Sequence, residues 1–154
     1  MKIAIGSDHG GYRLKVELKP FVESLGHEVV DVGCHSSESV DYPDYASAAC
    51  EKVLSGEVDK AILVCGTGIG MCIAANKIPG IRCALLSDTF SAQATRDHND
   101  TNVLALGERV IGPGLAQEIV RIWLETPFSH AERHVQRLNK IRDLEEKYSK
   151  RTES

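Results

Sequence analysis

Cys65 stands where an unbroken apolar run, Lys60-Ala-Ile-Leu-Val-Cys65, gives way to Gly66-Thr67-Gly68-Ile69-Gly70. A small-residue helix pattern, Met71-Cys-Ile-Ala-Ala-Asn76, follows at once. A thiol beside a loop of backbone N–H groups and a helix N-terminus has a chemical use: the turn holds an anion and the helix dipole favours the thiolate. A second glycine-rich stretch, Ser7-Asp8-His9-Gly10-Gly11, carries a carboxylate and an imidazole. Arg133 and Arg137 share one helix face at a spacing of four. A positioned thiol, an oxyanion loop and paired guanidinium groups together suit a small phosphorylated substrate whose carbonyl develops negative charge.

Each feature also has a plainer reading. Gly66-Thr67-Gly68-Ile69-Gly70 fails as a dinucleotide fingerprint, because its last glycine comes too soon and no acidic ribose partner follows about twenty residues on. It lacks the Gly-Lys-Ser/Thr ending of a P-loop. Anion cradle and simple tight turn both remain open. Asp8 is either a helix cap or a functional carboxylate, and His9 alone would pass as a turn residue. The arginine pair alone would be a solvated face. The five cysteines (34, 50, 65, 72 and 83) form no C-x-x-C pair and read as reduced thiols, not as disulfides or a zinc site. By position only Cys65 stands apart from core packing.

The elements that must position these residues alternate along the chain. Strands are expected over 2–6, 27–33, 60–65, 82–86 and 103–106, with helices over about 11–25, 43–55, from the glycine turn to about 76, 89–97, 113–125 and 129–149. Pro20 falls inside the first helix pattern and predicts a kink or local break. Alternating strands and helices imply βαβ units, hence one α/β domain over 1–154: a three-layer, doubly wound, Rossmann-like fold with a five-stranded parallel sheet and a C-terminal helical tail. The expected strand order is 2-1-3-4-5. The order then reverses between strands one and three, where the Asp8 and Cys65 loops meet at the carboxyl ends.

A net charge of −4 argues against nucleic acid as the main partner, and no apolar run is long enough to span a membrane. Met1-Lys2-Ile3 leads directly into a strand, not a signal peptide, so a cytoplasmic protein is expected. Ala131, Val135, Leu138, Ile141, Leu144 and Tyr148 form an apolar stripe on the tail helix, with a polar end beyond it. A second copy of the chain is the expected cover. The direction of the helix after strand four supplies an independent reason for a dimer: it runs back to the amino ends, placing His98 and Asn99 on the rim opposite Cys65. One site using both groups needs two subunits.

Several stretches in one order carry a family resemblance: Gly6-Ser-Asp-His-Gly-Gly11, Asp41-Tyr-Pro-Asp-Tyr-Ala46, Cys65-Gly-Thr-Gly-Ile-Gly-Met71, Ala74-Ala-Asn-Lys77, Arg96-Asp-His-Asn-Asp100 and Leu106-Gly-Glu-Arg-Val-Ile-Gly112. Over about residues 2–142 the chain resembles the ribose-5-phosphate isomerase type B family, which shares its fold with the galactose-6-phosphate isomerase subunits. The resemblance implies a cofactor-free, metal-free aldose–ketose isomerase interconverting ribose 5-phosphate and ribulose 5-phosphate, in the non-oxidative pentose phosphate branch. By that likeness Cys65 is the base that moves a proton between C2 and C1 through an enediolate. Some relatives use a glutamate from the following helix; no acid lies between 66 and 76 here, so the cysteine version matches.

The same resemblance assigns the enediolate hole to the backbone of Gly66, Gly68, Ile69 and Gly70, with Asn99 assisting. His98, with Thr67 and Asp8, would open the furanose ring, and Asp8 and Tyr42 would hold sugar hydroxyls. His9, Arg109, Arg133 and Arg137 would bind the phosphate. The assembly implied is a homodimer or tetramer with shared sites. Two other functions fit parts of the pattern: an isomerase of six-carbon allose or galactose 6-phosphate, and a non-catalytic phosphate-binding module, which would leave Cys65 and His98 unexplained.

Overall fold

Five apolar runs fold as strands: β1 Lys2–Ser7, β2 Glu28–Gly33, β3 Lys60–Cys65, β4 Cys83–Leu85 and β5 Val103–Gly107. The helices are α1 Tyr12–Ser24, α2 Tyr42–Leu54, α3 Ile69–Asn76, α4 Thr89–Asn99, α5 Pro113–Glu125 and α6 Glu132–Ser149. A 3-10 turn, His9–Gly11, leads into α1. The structure is a computed structural model that describes residues 1–149; the polar end expected beyond lies outside the described residues.

All strand pairings are parallel, and the order is β2-β1-β3-β5-β4. The expected order is therefore corrected at one edge, where β4 and β5 exchange places. Burial gives the reason. β5 is buried at all five positions, whereas β4 is three residues long and leaves Leu85 42% exposed. A short, half-wet strand suits an edge and a fully apolar one the interior. The reversal still falls between β1 and β3, because β2 lies on one side and all later strands on the other.

Side chains alternate across the sheet. Ile3, Ile5, Ile62, Val64, Leu104 and Leu106 pack toward α1, α4 and α5. Ala4, Ala61, Leu63, Cys65, Val103 and Ala105 pack toward α2 and α3. Cys65 thus belongs to the α2/α3 face by strand parity alone. Pro43 sits in the first turn of α2, where its missing N–H costs nothing. Pro20 does not break α1. The carbonyl its ring deprives of a donor belongs to Val16, which is 48% exposed and open to water.

The tail helix α6 touches the body sparingly. His134 is buried, and Glu145 Oε1 accepts the Gly80 N–H at 2.9 Å. Its stripe remains on the surface, with Ile141 46% and Leu144 55% exposed. Among the described residues no helix is long and apolar enough to cross a membrane.

Candidate active site

Cys65 ends β3, only 4% exposed, and its Sγ accepts the backbone N–H of Gly68 at 3.1 Å. An N–H aimed at sulfur is a contact that a thiolate accepts better than a thiol does. Gly68 reaches this position at φ +80°, in the left-handed region. A Cβ there would lie 2.5 Å from Leu85 Cδ1 and 2.9 Å from the Leu106 carbonyl carbon, so only glycine fits. The Ile69 N–H donates to Thr67 Oγ1 at 3.2 Å. Gly70, second residue of α3, carries an amide that the helix itself cannot satisfy. Tyr42 lies with its ring against Gly70, close enough to leave no room for a side chain. The Arg109 N–H donates to the Gly66 carbonyl at 2.9 Å, and its guanidinium lies alongside Gly66.

The loop after β1 closes on the same rim. Asp8, 7% exposed, accepts the N–H groups of Gly10 at 2.9 Å and Gly11 at 3.1 Å on Oδ1, so it caps the turn it precedes. Gly11 lies so near the Val64 carbonyl that a Cβ would come within 2.4 Å of it. His9 is exposed, and its Nδ1 accepts the Val40 N–H at 3.2 Å. That donor leaves Nε2 to carry the imidazole proton, the tautomer that can donate to a phosphate oxygen. Asp8, His9, Tyr42, Thr67, the Gly66–Gly70 turn and Arg109 therefore gather around Cys65.

His98, Asn99, Arg133 and Arg137 gather elsewhere. The end of α4 is clamped by Arg96, whose Nη1 donates to Asp100 Oδ1 at 2.9 Å and to the Thr101 carbonyl at 2.7 Å. The Asn99 carbonyl accepts from Arg82 Nε at 3.0 Å, just before β4 begins. The His98 ring sits 4.6 Å from that of His134, and Ser129 Oγ lies 2.6 Å from His134 Nδ1. Burial first, then the charges of Arg133 and His98, hold the His134 imidazole below its ordinary range. This is the amino rim. Val103 pairs with both Ala61 and Cys83, whereas Cys65 pairs with Gly107, four residues further along. The two groups are thus separated by roughly 13 Å of strand rise alone. Within one chain they do not meet.

Sequence reasoning missed three residues of these clusters. Val40 acts through its backbone, which no residue type announces. His134 looks like an ordinary helix residue between two arginines. Glu108 was quoted within a motif but given no task; its carboxylate accepts the Leu14 N–H at 2.8 Å. Among the described residues no group of three His, Cys, Asp or Glu side chains is placed to hold a metal ion.

The model of the ribose/galactose isomerase family matches residues 3–141. The chain belongs to that family. It is 63% identical over 148 residues to the Bacillus subtilis (strain 168) protein YwlF, which carries a provisional sugar phosphate isomerase name, covering 96% of this chain and 99% of that one. It is 50% identical to ribose-5-phosphate isomerase B of Escherichia coli (strain K12), covering 95% and 97% of the two chains. The solved structure of the Clostridium thermocellum ribose-5-phosphate isomerase B matches with a TM-score of 0.94 at 53% identity, over 96% of this chain and 99% of that one. Membership in the ribose/galactose isomerase family makes the protein an aldose–ketose isomerase, and its sugar-phosphate substrate accords with the two clusters of basic residues.

Proposed function

We propose that this isomerase interconverts ribose 5-phosphate and ribulose 5-phosphate, with Cys65 as the base and with each site built from two chains. The observation that carries the reading is the Gly68 N–H directed at Cys65 Sγ within the glycine turn. The names of the Escherichia coli and Clostridium thermocellum relatives support the five-carbon substrate.

His98 of the partner subunit, with Thr67 and Asp8, moves the protons that open the furanose ring. In the open aldehyde the Cys65 thiolate takes the proton from C2 and returns it at C1. The hydroxyl proton passes from O2 to O1, and the charge on the intervening enediolate faces the Gly66–Gly70 amides and Asn99 of the partner subunit. Asp8 and Tyr42 hold hydroxyls. His9 and Arg109, with Arg133 and Arg137 of the partner subunit, hold the phosphate. Hydrogen only changes position within the sugar, so no external electron carrier takes part.

The surface around Cys65 accords with pairing. Ile69 is 51%, Ile73 56% and Phe90 80% exposed, more apolar area than an isolated chain gains from showing. A homodimer covers it, and the α6 stripe allows dimers to pair into tetramers. A cytoplasmic location fits a metabolic sugar phosphate.

The test is turnover of four-, five- and six-carbon aldose phosphates by wild type and Cys65→Ser. The expected result is a preference for ribose 5-phosphate and a loss of at least about a thousandfold in the variant. Preference for allose or galactose 6-phosphate would overturn the substrate, and undiminished activity in Cys65→Ser would overturn the base.

A further inference from the structure

The N-terminus of α1 has no cap of its own. Its N-cap is Gly11, which has no side chain to offer, and no acid stands in its first turn. The open donor at Leu14 is instead met by Glu108 Oε1 at 2.8 Å, from a loop 94 residues further along. A carboxylate at that end of a helix also meets the positive end of its dipole. The same residue makes a second bond with its main chain: the Glu108 N–H donates to the Cys65 carbonyl at 2.9 Å. One residue thus holds the base-bearing strand with its backbone and, with its side chain, the helix that follows Asp8 and His9. Its neighbour Arg109 binds the Gly66 carbonyl in the same way.

We propose that Glu108 is a positioning residue, which fixes the spacing between the thiol of Cys65 and the phosphate end of the site at His9. The inference rests on the isomerase reading above. A sugar phosphate gripped at its phosphate must present C1 and C2 to a base several bonds away, so the distance between the two loops sets whether the thiolate reaches them. Displacement by about 1 Å can cost a hundredfold in rate. Backbone bonds such as Asp8 N–H to the Val64 carbonyl, at 3.2 Å, tie the loop itself to β3. Glu108 orients the helix behind that loop by a side chain, and so can be altered without touching substrate.

The experiment compares Glu108→Ala and Glu108→Gln with wild type in kcat, KM, inhibition by inorganic phosphate and thermal melting. Glu108→Ala should lose roughly ten- to a hundredfold in kcat while the inhibition constant for phosphate changes less than about threefold. Glu108→Gln keeps an oxygen for the Leu14 N–H and should retain kcat within about threefold. If Glu108→Ala does not fold, Glu108→Asp, one methylene short of Leu14, should show the same loss of kcat. A lowered melting temperature with wild-type kcat would mean a helix cap and nothing more, and would overturn the proposal. If the wild type itself fails to isomerise ribose 5-phosphate, the fault lies with the functional reading. The spacing is then read from the alkylation rate of Cys65 by iodoacetamide: a change in Glu108→Ala that Glu108→Gln reverses supports the role, and unchanged reactivity in both overturns it.

Discussion

Gly68 donates its backbone N–H to the Sγ of Cys65 across 3.1 Å, from a backbone angle that only glycine holds without strain. Gly68→Ala places a methyl against Leu85 and the Leu106 carbonyl and strains φ as well. The expected cost is about 1–3 kcal/mol of stability, with kcat lowered at least about tenfold because the turn must shift. Melting curves and initial rates check both. A variant of wild-type activity would show that the N–H contact is dispensable.

The opposed clusters call for a mixing experiment. Cys65→Ser and His98→Ala are each expected to be inactive as pure preparations. Unfolded and refolded together, they should form hybrids in which one of the two sites carries both groups, recovering up to about a quarter of wild-type activity if chains pair at random and each pair holds two sites. Hybrids verified by native mass spectrometry yet inactive would count against sharing.

The Cys72 thiol stands at about 7, below its ordinary value of 9.0: the hydrogen bond from Cys83, against burial and with help from Asn76 and the Leu85 amide, favours the thiolate. Burial pushes Cys50 the other way, to about 11. Alkylation of Cys72 should therefore follow a titration with its midpoint near 7, while Cys50 stays unlabelled at neutral pH. Asn76→Ala should move that midpoint upward. A midpoint for Cys72 at its ordinary value of 9.0 would refute the assignment.

Lys60, at the start of β3, has its ammonium 5.3 Å from the centre of the Trp123 ring, and burial lowers it to about 8 from an ordinary 10.5. Between those values the unfolded chain binds a proton at Lys60 that the folded chain has released, so the cost of this residue to folding shrinks as pH rises from about 8 to 10.5. Below about 8 both states are charged and the full burial cost is present. Lys60→Met removes that cost and loses the cation–π contact and the weaker attraction of Asp100 and Asp59, so at neutral pH its melting temperature should exceed wild type by about 2–4 °C. The gap should close as pH approaches 10.5. Equal melting curves at neutral pH would show that the ammonium escapes burial.

Legibility in the sequence followed the range of the interactions. β3 was readable to the residue because a strand buried on both faces is one continuous apolar run. The Cys65 turn was readable because its glycines and thiol are adjacent in the chain, and the placement of His98 followed from the direction of a single helix. The exchange of β4 and β5 was not readable from consecutive winding; it turns on how little apolar length Cys83–Leu85 offers against Val103–Gly107. Glu108 on Leu14 and Val40 on His9 escaped notice because each joins residues far apart and uses a backbone N–H, which every residue type but proline supplies.

Trp123 is the chain's single tryptophan, fully buried, with its Nε1–H on Thr101 Oγ1 at 3.0 Å. Thr101 is the residue whose carbonyl Arg96 grips to fasten the end of α4 beneath His98. Intrinsic fluorescence of the unlabelled protein is therefore a local gauge of the His98 rim, with no other indole to blur it. Loosening at that end changes the emission, while disturbance confined to the Cys65 rim leaves it unchanged.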